Sequence, residues 1–226
     1  PVARDANGNV VVDKNGYTTP MVFCYDSNDK SFLYEFKGGD AVYDDVNHDG
    51  NINELDIVYL GNSNPAAQGG FGFTFRYKRW NLKADFAYRL KYDVVNSARM
   101  LFENMATFNN QSVAVNWRWR TEGDVTSIPR ALHNAGYNFL GSDRFVEDGS
   151  FCRLNYLQLS YSLDPEIAKK MGIRKATLSM SANNLFNWTR YSGVDPEVGY
   201  GGMGLSTDNS QTPRAKSFTC RLNVTF

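Results

Sequence analysis

The feature that most constrains this chain is an alternation of apolar and polar residues with a period of two, sustained over stretches longer than an ordinary strand. A period of two places one set of side chains on one face of a strand and the other set on the opposite face. From Trp80 to Leu90 one face carries Trp80, Leu82, Ala84, Phe86, Tyr88 and Leu90, and the other carries Asn81, Lys83, Asp85, Ala87 and Arg89. Only Ala87 blurs the pattern. In 217–226, Phe218, Cys220, Leu222, Val224 and Phe226 oppose Ser217, Thr219, Arg221, Asn223 and Thr225 without exception.

Three further segments follow the rule. In 69–77, Phe71, Phe73, Phe75 and Tyr77 oppose Gly72, Thr74 and Arg76. In 151–163, Leu157, Leu159, Tyr161 and Leu163 oppose Gln158, Ser160 and Ser162. The weakest is 176–186, with Leu178, Met180 and Ala182 against Thr177, Ser179, Ser181 and Asn183.

Half-buried strands occur in soluble sandwiches as well as in membrane barrels. Length favours the barrel, since soluble strands average about 5 to 6 residues and barrel-spanning strands need about 9 to 11. Aromatic residues are 14% of the chain, and Tyr77, Trp80, Tyr88, Tyr161 and Phe226 fall near strand ends, where an interfacial girdle sits. The mean hydropathy of -0.46 is no objection, because alternation keeps the average low. No run approaches the about 20 apolar residues of a membrane-spanning helix.

Connection lengths alternate too. Lys78 and Arg79 make one tight turn, and 164–175 is compact, with a short helix expected from Pro165 to Met171 and Gly172 as its stop. The links 91–150 and 187–214 are long and rich in Gly, Asn, Asp and Ser. Short turns on one side and long loops on the other are the pattern of a membrane barrel, with the long side outermost. The expected organisation is an outer-loop region, 1–68, followed by barrel strands and their loops, 69–226. Five strands cannot close a barrel, the smallest of which have about eight. Another chain or segment is expected to complete it, and the chain is expected to begin within an outer loop.

Asp45, Asn47, Asp49, Gly50, Asn51 and Asp56 lie in the pattern D-x-N-x-D-G-N-I-x-x-x-D. An EF-hand-like loop draws oxygen ligands from positions 1, 3, 5, 7 and 12, with Gly at 6 for the sharp turn. Asp45, Asn47, Asp49, the Asn51 carbonyl and Asp56 occupy those places, and a structural Ca²⁺ is expected. Asp at position 12 has a shorter arm than the usual Glu. The alternative is a metal-free turn whose Asx side chains bond their own backbone. His48 occupies a non-ligand position and is expected to be exposed.

Lys plus Arg equals Asp plus Glu at 24 each, which points to no nucleic-acid partner. The three widely spaced cysteines, Cys24, Cys152 and Cys220, form no CxxC pair and read as small buried or lipid-facing residues, a disulfide at Cys24 being the alternative. His48 and His133 stand alone, without the partners that acid–base or nucleophilic catalysis needs. The expectation is a protein that is not an enzyme.

Several passages resemble the C-terminal region of the SusC/RagA family of TonB-dependent transporters. They are GDAVYDDVNHDGNINELDIVYLGNSNP (39–65) leading into Gly69, Gly70 and Phe71; SDRFVEDGSFCRLNYLQLSYSL (142–163); and NNLFNWTRYSGVDPEV (183–198). Pro213 and Arg214 precede a last strand ending in Phe226, like the terminal aromatic of that class. The resemblance covers roughly 39–226.

It implies five antiparallel strands of a 22-stranded transmembrane β-barrel with long extracellular loops, in the outer membrane of a Gram-negative, Bacteroidetes-like bacterium. It implies import of oligosaccharides or peptides with a SusD-like surface lipoprotein, and energy from TonB through an N-terminal plug and barrel portion not contained in this chain. Arg144, Glu147 and Asp148 are placed to pin a loop by charge pairing, and Asp195-Pro196-Glu197 forms a rigid acidic turn. Trp117, Trp188, Tyr191 and Tyr200 are the candidate substrate or lid contacts, because aromatic rings stack on sugars and peptide side chains. VNWRWR (115–120) is an alternative seat for the lipoprotein. The competing function is a soluble, calcium-stabilised carbohydrate-binding β-module.

Overall fold

The computed structural model describes residues 1–26, 28–135, 137–197 and 205–226. In chain order the strands are β1 (Val22–Asp26), β2 (Asp29–Glu35), β3 (Asn51–Ile52), β4 (Ala67–Tyr77), β5 (Trp80–Leu90), β6 (Asp93–Val95), β7 (Val146–Asp148), β8 (Phe151–Ser162), β9 (Lys175–Thr189) and β10 (Ser217–Thr225). Among the described residues the α-helices are short, α1 (Ser97–Glu103) and α2 (Pro165–Lys170). Among the described residues no helix is long and apolar enough to cross a membrane.

The chain forms two compact units, each made of two stretches: Pro1–Leu60 with Arg99–Phe145, and Gly61–Ala98 with Val146–Phe226. This division differs from the sequence expectation of a break at residue 68 with 91–150 as a loop of the barrel. The reason lies in side chains distant in sequence. Arg130 and Asn138 both donate to the buried Asp40, and the Tyr43 hydroxyl donates to the Tyr137 carbonyl at 2.8 Å. Most of 91–150 thereby joins the first unit.

The second unit is built on a five-stranded antiparallel sheet of order β10-β9-β8-β5-β4. The β4–β5 hairpin pairs every residue from Ala67↔Leu90 to Tyr77↔Trp80. Its two-residue turn holds Lys78 at φ 53°. The face with Phe71, Phe73, Phe75 and Tyr77 remains exposed, each ring by more than half. Phe71 stacks on Phe86 at 4.8 Å and Trp80 meets Tyr161 at 4.8 Å, so cross-strand aromatic pairs knit that face.

The strand expected to be weakest, 176–186, is the longest, Lys175–Thr189. Its small residues give little periodic contrast, but it is paired on both sides, by β8 and by β10. A bulge also interrupts β8: Asp85 faces Tyr156 while Phe86 faces Leu154, leaving Asn155 extra. The bulge shifts the alternation, so Phe151 and Arg153 share the polar face of Ala87 and Arg89 while Leu154 lies on the apolar face.

The short connection after β8 is as the sequence suggests. The Asp164 side chain accepts from Glu166 N–H, Pro165 opens α2, Met171 caps it and Gly172 turns the chain out at φ 73°. Arg79 of the neighbouring turn pairs with Asp164.

The first unit has a small sheet of order β2-β1-β3. Met21, Phe36 and Ile52 form one core cluster, and Met105, Val115, Ile128, Phe139 and Phe145 form another. Gly39, at φ 82°, lies under the Trp119 ring, which any Cβ there would strike.

Candidate functional site

The acidic loop 45–56 is curled by its own side chains. The Asp45 carboxylate accepts N–H groups from Asp49 and Gly50 at 3.2 and 2.8 Å, and Asp49 Oδ1 accepts from Asn51 N–H at 2.7 Å. Asn47 Oδ1 accepts from Asp49 N–H at 2.9 Å. Asp56 closes the loop through Val46 N–H and Asn53 N–H, both at 2.9 Å, and completes a capping box with Asn53. Gly50 takes φ 81°, the left-handed turn the spacing requires, and His48 is exposed. The donors are the hard oxygens that suit Ca²⁺, and a carboxylate oxygen that accepts one N–H keeps a second lone pair. These carboxylates nevertheless close on backbone amides. Among the described residues no three His, Cys, Asp or Glu side chains gather within reach of one ion.

The candidate aromatic residues that the structure describes, Trp117, Trp188 and Tyr191, have different surroundings within their own units. Trp117 belongs to the first unit and is 77% exposed. Trp188 stands on β9, 53% exposed, with its ring 5.9 Å from Phe186 and 6.4 Å from Phe86. Trp188 is therefore part of the sheet's aromatic face.

Tyr191 is only 6% exposed and packs with Tyr92, Val94 and Phe151, so its ring is withdrawn from any substrate. Its hydroxyl donates to Asp208 at 2.8 Å, and burial together with that carboxylate raises its pKa. The sequence signal that ranked Tyr191 was aromatic identity, which cannot distinguish a stacking platform from a buried anchor. Tyr200 lies outside the described residues.

Near the end of the sheet a charged cluster binds the loop after β9 to β8. Arg153, 3% exposed, donates to Asp195 at 2.5 Å and to Glu197 at 2.8 Å. Arg214 reaches Glu197 at 2.9 Å and Arg89 reaches it at 3.6 Å. The Asp195-Pro196-Glu197 turn is thus bound to arginines. The Tyr92 hydroxyl, whose pKa is raised by burial, donates to the Pro196 carbonyl at 3.0 Å. Arg153 was missed in the sequence, because its partners Asp195 and Glu197 lie 42 and 44 positions away.

Arg144, Glu147 and Asp148 each hold the chain through different partners. Arg144 pairs with Glu103 at 2.6 Å. Glu147 accepts from Asn96, and from the Ser192 N–H at 2.9 Å and hydroxyl at 2.8 Å. Asp148 accepts from Ser150 N–H. Cys24 is buried and its thiol donates to the Asp26 carbonyl at 3.0 Å, while Cys152 is half-buried and Cys220 exposed.

A mostly β chain whose antiparallel sheet exposes an aromatic face defines a class by fold alone, a piece of β-sheet wall. The comparisons carry it further. TonB-dependent receptors P39 and P26 of Formosa agariphila are 29% identical over 201 residues and 30% identical over 195 residues, covering 84% and 83% of this chain. TonB-dependent receptor SusC of Bacteroides thetaiotaomicron is 27% identical over 98% of the chain. The chain spans 18% to 20% of the length of these curated relatives. The RagAB peptide transporter structure matches at 27% identity with a TM-score of 0.61, over 72% of this chain and 17% of that one. The RagAB peptide importer in the closed-closed state, at 23% identity, supports the fold alone, with a TM-score of 0.65 over 96% of this chain and 20% of that one. No protein-family model matches. The chain belongs to the SusC/RagA family of TonB-dependent receptors.

Proposed function

We propose that this segment supplies five wall strands and outer loops to a 22-stranded outer-membrane transporter that imports oligosaccharides or peptides. The observation that carries the proposal is the apolar face of the sheet, exposed from Phe71 to Tyr77 on β4 and again at Phe218 and Leu222 on β10. In water such a face is a liability. Facing lipid it is what a barrel requires. The aromatic residues Trp80 and Phe86 are six positions apart on β5, about 20 Å along a strand, comparable to the about 25 Å apolar band of such barrels.

The outermost strands β4 and β10 each have one unpaired edge within the sheet, and in a bilayer both edges must be completed by the remaining barrel strands. A plug and a TonB-contacting portion would lie on that remainder. A SusD-like lipoprotein is the proposed surface partner, and Ca²⁺ held by Asp45, Asn47, Asp49, Asn51 and Asp56 the proposed stabiliser of the outer loop. The test is deletion of the whole gene, followed by uptake of a panel of oligosaccharides and peptides, with capture of the tagged transporter from outer membranes. Loss of one nutrient class and co-purification of a lipoprotein are expected. Unchanged uptake of every nutrient, or extraction of the protein without detergent, overturns the proposal and leaves the soluble carbohydrate-binding module.

A further inference from the structure

Within the first unit a cavity of about 490 Å³ opens over the loop 116–126, with Trp117, Arg118, Arg120, Asp124 and Thr126 in its lining. The loop is rigidly tied. Trp119 N–H donates to the Ile128 carbonyl at 3.0 Å, and the Thr126 hydroxyl donates to the Trp117 carbonyl at 2.5 Å. Asp124 Oδ2 accepts N–H groups from Arg120 and Thr121, both at 2.9 Å.

Three consequences follow for what the cavity can bind. The indole of Trp117 is 77% exposed and stands beside it, an apolar platform for a ring. Arg118 and Arg120 each spend one guanidinium N–H on a backbone carbonyl, of Val115 at 3.2 Å and of Asn116 at 2.9 Å. Neither makes a close ion pair among the described residues, although the Asp124 carboxylate of the same lining is lowered in pKa by the Thr121 and Arg120 amides and in part by the Arg120 charge, so Arg118 carries the less compensated of the two positive charges. The backbone N–H groups of Arg118, Trp119, Arg120 and Thr121 are all committed within the loop, which removes the ladder donors that an extended peptide needs. What the lining offers is a ring face and positive charge, with the Asp124 carboxylate beside them.

We propose that this cavity is a recognition subsite for an acidic oligosaccharide, its ring stacked on Trp117 and its carboxylates held by Arg118 and Arg120. The proposal rests on the importer reading and narrows its substrate class.

The test is calorimetric titration of the detergent-purified, full-length transporter with tetragalacturonate, with neutral maltotetraose and with an acidic tetrapeptide. Tetragalacturonate is expected to bind at least about tenfold more tightly than either of the others, and more weakly as salt rises. Trp117→Ala and the double variant Arg118→Gln/Arg120→Gln are each expected to weaken it about tenfold or more, the size of an interface hot spot. Only the arginine variant should flatten the salt dependence. Unheated gel migration reports whether each variant has folded as a barrel, and a misfolded arginine pair is replaced by Arg120→Gln alone. Absence of tetragalacturonate binding, equal affinity for maltotetraose or the peptide, or variants that bind as the parent does, overturns the subsite. Nutrient uptake by cells lacking the transporter separates the two failures, since uptake that depends on the transporter upholds import even where the subsite fails.

Discussion

Arg153 and Asp195, 42 positions apart, form a 2.5 Å hydrogen-bonded ion pair in which the two side chains are 3% and 6% exposed. The pair binds the loop after β9 to β8 at a site from which water is almost excluded. Removing one partner of such a pair leaves an uncompensated buried charge. Arg153→Ala is expected to destabilise the second unit by about 3 kcal/mol and to speed protease cleavage within 190–214. Cleavage at the parental rate would show that the loop is held elsewhere. Lys83→Met is the control, because the Lys83–Asp85 pair at 3.0 Å is 45% and 41% exposed and such pairs contribute at most about 1 kcal/mol.

Asp40 gives the first unit an acid limit. Burial alone would push its pKa up, but the hydrogen bonds from Arg130, the Lys37 N–H, Asn138 and Tyr34 outweigh burial and hold the carboxyl below its ordinary value. Its folded pKa is depressed relative to the unfolded value of about 3.9. The stabilisation is therefore present above about pH 4 and is lost as pH falls through the folded pKa. Hydrogen exchange of 30–45 and 128–140 between pH 2 and 6 should show accelerated opening at the acid end. Asp40→Asn should open faster at neutral pH and lose most of that acid dependence; matching profiles for the two proteins would contradict it.

Calcium should act on the acidic loop 45–56 and nowhere in the five-stranded sheet. Adding Ca²⁺ at 100 times its Kd is expected to raise stability by about 2.7 kcal/mol, with protection confined to 45–56 in hydrogen exchange. Asp49→Ala should abolish the response. A response that survives this change, or no response to millimolar Ca²⁺, leaves the loop as a metal-free Asx turn.

The two faces of β10 should differ sharply in their tolerance of charge. Leu222, 65% exposed, sits opposite Leu178, and Asn223 sits opposite Thr177. If Leu222 faces lipid, Leu222→Arg costs about 2 to 4 kcal/mol near the bilayer midplane and depletes folded protein from the outer membrane. Asn223→Arg should be tolerated. Equal behaviour of the two, read from unheated gel migration, would argue against a lipid-facing sheet.

Local pattern carried much of the sheet, and it stopped where pairing took over. The alternation in Trp80–Leu90 and Ser217–Thr225 was legible because a strand exposes alternate side chains to two environments whatever its neighbours are. The helix at Pro165–Lys170 was legible because its cap, its opening proline and its terminating glycine are adjacent in sequence. The length of β9 was not, since Ser, Ala and Thr carry little contrast and its extent depends on partners on both sides. The bulge at Asn155 was equally invisible, as it arises from the register of three strands together.

The sequence by itself determined the two-faced strands, the curled acidic loop and the family, all of which reside in residues close along the chain. Tertiary structure alone decided that Tyr191 is a buried anchor while Trp117 is an open platform, that Arg153 joins Asp195 and Glu197, and that 99–145 packs with 1–60. The physical reason is that burial and ion pairing depend on which distant segments meet. No local pattern records that meeting.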